Sequence, residues 1–237
     1  MSTKPVALIL GAGPRVGSAV ANKLASSGYA VAVASRKGTD SRSKEGFFAV
    51  KIDLSQPTSV KTAFDAVKTE FGAPPSLVVY NAATFTAPPV EGSILSIPAE
   101  RVASDLNVNT VSPFAAAQQA VEGWATLPKD AAKVFIYTGN VQNTKIVPVP
   151  LTVTLGVGKS AASYWLGMAD NTYSAQNYRF FYADERNVDG SIKGMALDGD
   201  AHAEFYAQLA TGAKDVPWHA TFVKGQGYTK FPMPASK

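Results

Sequence analysis

The sequence predicts an α/β fold: a doubly wound parallel sheet of about seven strands with helices on both faces. Three observations predict it. Short, continuous apolar runs recur along the chain, as strands buried on both faces require. Segments of helical period separate them, as the crossovers between parallel strands require. A glycine-rich turn joins the first apolar run to the first helical segment. No linker or shift of composition divides the chain, so residues 1–237 read as one domain.

The elements follow in order. Val6 to Leu10 is the first strand. Val16 to Ser27 places Val16, Val20 and Leu24 on one helical face, and Gly28 ends it as a C′ glycine. Ala30 to Ala34 is the second strand and leads to Ser35-Arg36-Lys37; Phe47 to Ile52 is the third. Ser55 offers an N-cap and Pro57 a first-turn proline for a helix that runs to Phe71 and closes at Gly72. Leu77 to Tyr80 is the fourth strand, followed by Asn81-Ala82-Ala83. Val102 to Val121 is helical and bends at Pro113. Val134 to Tyr137 is the fifth strand, Lys159 to Ala169 a helix, Arg179 to Tyr182 the sixth strand, Ala201 to Ala210 a helix and Ala220 to Val223 the last strand. Residues 228–237, with the proline-rich Phe231 to Pro234, read as a mobile tail.

Composition excludes several classes of function. Hydrophobic residues make up 46% and charged residues 17%, which builds a sizeable core and argues against disorder. The net charge is +4, but its lysines and arginines are scattered, so no nucleic-acid partner is expected. The absence of cysteine removes disulfides, thiolate metal sites and a cysteine nucleophile, and fits a reducing compartment. His202 and His219 are far apart, with no metal-binding spacing, and His202 reads as structural or surface rather than as lining a pocket. Gly11 to Gly17 interrupt the first apolar run too early for a signal peptide, and no stretch approaches the ~20 apolar residues of a membrane span. A cytoplasmic protein acting on a small molecule, with no membrane partner, is the expectation.

The turn reads Gly11-Ala12-Gly13-Pro14-Arg15-Val16-Gly17, between a strand and a helix. Gly11 permits the tight turn, Gly13 allows close backbone approach, and Gly17 lets the helix pack near the strand. A pyrophosphate there meets free N–H groups and the positive helix end. Arg15 either reaches a phosphate or faces solvent. At the end of the second strand, a chain that prefers NAD offers an acidic residue to the ribose hydroxyls. Ser35 and Arg36 stand there instead, and an arginine fork suits a 2′-phosphate. NADP(H) is therefore expected over NAD(H).

Four landmarks then fall in order: the turn at Gly11 to Gly17, Asp53 after the third strand, Asn81-Ala82-Ala83 after the fourth, and Asn109 within Val108-Asn109-Thr110. Together they resemble the short-chain dehydrogenase/reductase family, to about Tyr228, and a Rossmann-type sheet. The resemblance implies that Asp53, with Leu54 beside it, binds the adenine. It implies that Asn81 to Ala83 line the cofactor, and that Asn109 holds a water in a proton relay. Lys159, in Leu155-Gly156-Val157-Gly158-Lys159, matches the family lysine that binds the nicotinamide ribose. Leu155 stands where the family has its catalytic tyrosine, and Asn140 best matches the serine that polarises the substrate carbonyl, with Thr138 as the second candidate.

Carbonyl reduction needs a hydride, a polarised oxygen and a proton source. With Leu155 in place, Tyr137, Tyr164, Tyr182 and Asp184 are the candidate acids. Alternatively, the tyrosines pack through their rings with a satisfied hydroxyl, and Asp184 pairs with Arg186 or caps a turn. Three functions follow: an NADP(H)-dependent oxidoreductase acting on a carbonyl, C=C or C=N bond, a non-catalytic NADP(H)-binding regulator or scaffold, and a lyase, isomerase or cyclase on the same fold. The loops Phe85 to Ile97 and Gln142 to Thr154 are rich in proline and valine and point to an apolar substrate. The aromatic helix after Lys159 suits a homodimer or tetramer.

Overall fold

The computed structural model describes residues 4–232. Seven strands are parallel: β1 (Val6–Leu10), β2 (Ala30–Ser35), β4 (Phe48–Lys51), β5 (Leu77–Tyr80), β6 (Lys133–Thr138), β7 (Tyr178–Arg186) and β8 (His219–Val223). Two short antiparallel strands, β3 (Ser41–Arg42) and β9 (Gly227–Tyr228), extend the two edges. The order is β3-β4-β2-β1-β5-β6-β7-β8-β9, so the sheet has nine strands and not seven. The edge strands escape sequence reading because two residues each cannot show a hydrophobic period. Tyr228 thus pairs as part of β9, and Thr229 N–H donates to Thr221 C=O at 2.9 Å. Residues 233–237 of the expected tail lie outside the described residues.

Alternation along the strands feeds two cores. Leu8, Leu10, Tyr80, Tyr137 and Tyr182 face α2 (Ser59–Phe71), α4 (Ser112–Trp124) and α5 (Val153–Thr172). Ala7, Ile9, Ile136 and Phe181 face α1 (Val16–Ser26) and α6 (Gly199–Leu209). Leu8 and Ile9 are fully buried, each contributing roughly 1.5–3 kcal/mol of transfer free energy.

Several local readings change. Ser55 does not cap α2: its Oγ donates to Asp53 Oδ1 at 2.8 Å, and the helix starts at Ser59. The helix expected over Val102 to Val121 divides into α3 (Ala99–Leu106), a π turn (Asn107–Val111) and α4. Pro113 is the physical reason. Lacking an N–H, it cannot donate to the carbonyl four residues back, that of Asn109. β7 runs on to Arg186, past the Tyr182 end expected for the sixth strand, so Ala183 to Arg186 are the buried end of a strand.

Candidate functional site

A groove of about 740 Å³ opens at the carboxyl ends of β1, β2, β4 and β5, where the strand order reverses beside β1. Gly11, Ala12 and Gly13 line it from the turn after β1, and Ser35 and Arg36 from the end of β2. Asp53 and Leu54 line it after β4, and Asn81, Ala82 and Ala83 after β5. At Gly11 φ is +89°, and a Cβ would lie 2.5 Å from the Ala82 nitrogen. Two turns therefore meet at backbone contact, which only glycine permits. At Gly13 a Cβ would meet nothing within 4 Å, so the turn faces open space there.

Behind the turn, α1 begins without a side-chain cap and with no acidic residue in its first turn. Its N–H groups and dipole favour an anion in the groove. Val16 is buried in the core and Gly17 is buried behind the turn, so both stand behind the groove wall. Arg15 does not line the groove; its guanidinium donates to the Met195 carbonyl. Arg36 is exposed at the rim. Asp53 Oδ1 accepts from the Ser55 N–H at 3.0 Å as well as from its hydroxyl. These bonds, with Arg36 nearby, hold its carboxyl below the usual range, so it stays an acceptor.

The floor is a chain of side-chain bonds. Tyr206 Oη donates to Thr138 Oγ1 at 2.8 Å, and Thr138 Oγ1 donates to Asn81 Oδ1 at 3.0 Å. Asn81 Nδ2 donates to the Gly11 carbonyl at 3.0 Å. Asn81 thus ties the glycine turn to β6. Asn109 is fully buried, and its side chain pairs with the N–H and C=O of Thr84 at 3.0 and 2.7 Å.

The candidate catalytic groups sit deeper. The Tyr137 hydroxyl donates at 2.8 Å to the Asn109 carbonyl, at the residue to which the resemblance gives a relay water. The Tyr182 hydroxyl donates to the Asn140 carbonyl at 2.7 Å and accepts from the Asn140 N–H at 3.0 Å. Gly139 makes this possible, because a Cβ there would lie 2.2 Å from the Tyr182 ring. Burial pushes both phenols up, out of reach of neutral titration. Asn140 turns its own side chain to Gln142, accepting from its N–H and donating to Oε1. Lys159 is 4% exposed and outside the groove wall. Its Nζ donates to the Thr138 carbonyl at 2.6 Å and lies 4.3 Å from the Tyr137 ring centre. Burial lowers its pKa to about 7, against the pull of Asp184. Asp184 pairs with Arg186 at 2.6 Å. Burial raises its pKa to about 6, with Arg186 opposing. Tyr164 is 76% exposed on α5. His202 is fully buried, its Nδ1 at 2.7 Å from the Asp198 carbonyl.

The structure therefore gathers Gly11, Gly13, Ser35, Arg36, Asp53, Leu54 and Asn81 to Ala83 around one groove. Arg15, Asn140, Lys159, Tyr182 and Asp184 are not in its wall. Sequence reading missed Arg101, Asp105 and Thr154. Arg101 and Asp105 line the groove, and Asp105 is bonded to Thr154. Their signal was faint: Asp105 precedes Asn109 by four residues, one helical turn. A separate apolar hollow of about 570 Å³ is lined by Ile94, Ile146, Val147, Val149, Val153 and Val157. It draws on both loops expected to meet substrate. Among the described residues no cluster could hold a metal ion, and no helix is long and apolar enough to cross a membrane.

Residues 11–150 match the family model described as enoyl-(acyl carrier protein) reductase. The chain is 39% identical over 243 residues to short chain dehydrogenase/reductase dmxR12 of Cryptosporiopsis sp. (strain 8999), covering 97% of this chain and 96% of that protein. In fold it is similar to a short-chain type dehydrogenase/reductase from Mycobacterium marinum, with TM-score 0.77, 19% identity, and 92% and 93% of the two chains covered. A metagenomic short-chain oxidoreductase in complex with NADP matches with TM-score 0.74 and 19% identity, covering 92% of this chain and 96% of that one.

Proposed function

The chain belongs to the short-chain dehydrogenase/reductase family, and we propose that it is an NADP(H)-binding oxidoreductase with a nonstandard active site that reduces a small, apolar carbonyl, C=C or C=N substrate. The observation that carries this reading is the continuous groove from Arg36 and Asp53, past Gly13, to Ala83. Its polar groups fit a dinucleotide: uncapped α1 N–H groups to donate to the pyrophosphate, the Asp53 carboxylate to accept from an adenine amino group, and Arg36 to donate to a 2′-phosphate. A bound nicotinamide supplies hydride chemistry. Ala82 and Ala83 shape the wall that would hold it, and Asn81 keeps that wall in register. The apolar hollow beside α5 suits the substrate body.

Calorimetric titration tests the cofactor. NADPH is expected to bind at micromolar concentration and at least about tenfold tighter than NADH. Arg36→Ala is expected to remove about tenfold of NADPH affinity and leave NADH unchanged. Equal affinities for the two nucleotides in the wild type would sink the NADP preference. A second reading, binding without turnover, draws on the engaged hydroxyls of Tyr137 and Tyr182 and on the Asp184–Arg186 pair.

A homodimer through α4 and α5 is proposed from Phe114, Tyr164 and Met168, which are 46%, 76% and 56% exposed on these helices. Sedimentation at micromolar concentration is expected to give a dimer or tetramer, and Met168→Glu to shift it toward monomer. A wild-type monomer counts against the interface.

A further inference from the structure

We propose that Asp105 supplies the proton in this groove, where Leu155 has left no tyrosine; the inference rests on the oxidoreductase reading above. Asp105 lies on α3, is 5% exposed, and lines the groove beside Thr84, Phe85 and Thr86. The Thr154 hydroxyl donates to its Oδ2 at 2.7 Å. Thr154 is 2% exposed and immediately precedes Leu155. It also accepts from the Thr86 N–H at 3.4 Å, while Asn109 clasps Thr84. The segment that follows Asn81 to Ala83 is thus held at two points, and the Asp105 carboxyl lies beside it. Among the described residues, the Thr154 bond to Oδ2 is the one side-chain hydrogen bond of this carboxyl.

A carboxyl group at this depth is costly to desolvate. A brace between α3 and α5 needs only a neutral acceptor for the Thr154 hydroxyl, and an asparagine would serve. A carboxyl with one oxygen anchored and the other free is oriented to exchange a proton with a ligand. The other acids considered for this role point away. Tyr137 and Tyr182 are bonded to backbone carbonyls, Asp184 is paired with Arg186, and Tyr164 faces outward. Asp53, the other carboxylate of the groove wall, is engaged by Ser55 on the Arg36 side.

In the step, Asp105 gives its carboxyl proton to the substrate oxygen, or to the nitrogen or distal carbon of a C=N or C=C bond. The π pair of the double bond moves to that atom. The carbon left electron-poor accepts a hydride, with its electron pair, from a reduced nicotinamide dinucleotide. The resulting Asp105 carboxylate takes a proton from solvent in the groove. Thr154 is a positioning residue that fixes the carboxyl.

Asp105→Asn keeps the acceptor for Thr154 and nearly the same volume. Its Tm and NADPH dissociation constant are expected to stay close to wild type, the latter within about threefold. NADPH-dependent reduction is measured on acetophenone, cyclohexanone, menadione, cinnamaldehyde and pyrroline. For whichever of these the wild type reduces, the rate is expected to fall by about a hundredfold. Formate is expected to restore part of it in Asp105→Ala, which a purely structural role would not allow. If Asp105→Asn binds NADPH and reduces the same probe at the wild-type rate, this inference is overturned and the oxidoreductase reading stands. If it loses about tenfold of NADPH affinity at unchanged Tm, Asp105 is a cofactor ligand and the proton role is overturned. If the wild type binds NADPH yet reduces none of the probes, the oxidoreductase reading falls, and this inference with it.

Discussion

Gly11→Ala is expected to lower NADPH affinity by at least about a hundredfold, or about 2.8 kcal/mol, and to lower Tm as well. Two effects act together. A side chain at φ +89° is strained, at a cost on the order of 1–2 kcal/mol. Its Cβ would also lie 2.5 Å from the Ala82 nitrogen and 2.8 Å from the Ala82 Cβ, so one turn must move away from the other. Asn81 transmits that shift, because its amide donates to the Gly11 carbonyl. The groove wall on both sides is then displaced. Gly13→Val separates ligand effects from folding effects, since a Cβ there meets no protein atom within 4 Å. It is expected to lose NADPH affinity at nearly unchanged Tm. Wild-type affinity in Gly13→Val would mean that the pyrophosphate does not lie against this turn.

Arg186→Met is expected to destabilise the protein by about 3–5 kcal/mol, because it strands a buried carboxylate. Asp184 and Arg186 have side chains 2% and 6% exposed and meet at 2.6 Å. Arg186 also donates to the Gly190 carbonyl at 3.1 Å. For a chain of this size the Tm loss is on the order of 10 °C. Asp184→Asn in the same chain is expected to recover much of it, since the cost lies in the unpaired charge more than in the lost bond. The sign of the pH dependence follows. Burial already raises the Asp184 pKa to about 6 from 3.8, and losing Arg186 raises it further. The penalty therefore grows as pH rises above the unfolded value and shrinks below it, where both states hold the proton. Thermal melts across this range check the sign. A Tm change under about 2 °C at neutral pH would show that the pair contributes little.

Much of the site was legible in order along the chain. The spacing of Gly11, Gly13 and Gly17 between a buried run and an amphipathic segment located the turn, since backbone approach is a local demand that few residue types meet. Asp53 and Asn81 to Ala83 followed directly after strand-like runs, and strand ends are where a parallel sheet opens its crevice. Ser35 and Arg36 were readable for the same reason. Ser55 misled because its hydroxyl, which as an N-cap would accept from an N–H of the helix end, instead donates to the Asp53 carboxylate, and the helix starts four residues later.

Depth was not legible. Ala183 to Arg186 carry three charges in sequence, a pattern that reads as solvated, yet β7 continues through them because Asp184 and Arg186 neutralise each other. Lys159 stands at the family position, but its reach depends on β6, whose Thr138 carbonyl draws it inward. Asp105 lies in a helix with no run or motif to mark it, and only the approach of α3 to α5 brings it to Thr154.

By itself, the sequence determined the α/β class, the glycine turn and the strand-end residues of the groove, because hydrophobic period and backbone permissiveness are properties of neighbouring residues. Only the tertiary structure decided which ionisable groups face the groove and which are spent inside. That choice depends on desolvation and on partners far apart in the chain: Tyr137 with Asn109, Lys159 with Thr138, and Thr154 with Asp105.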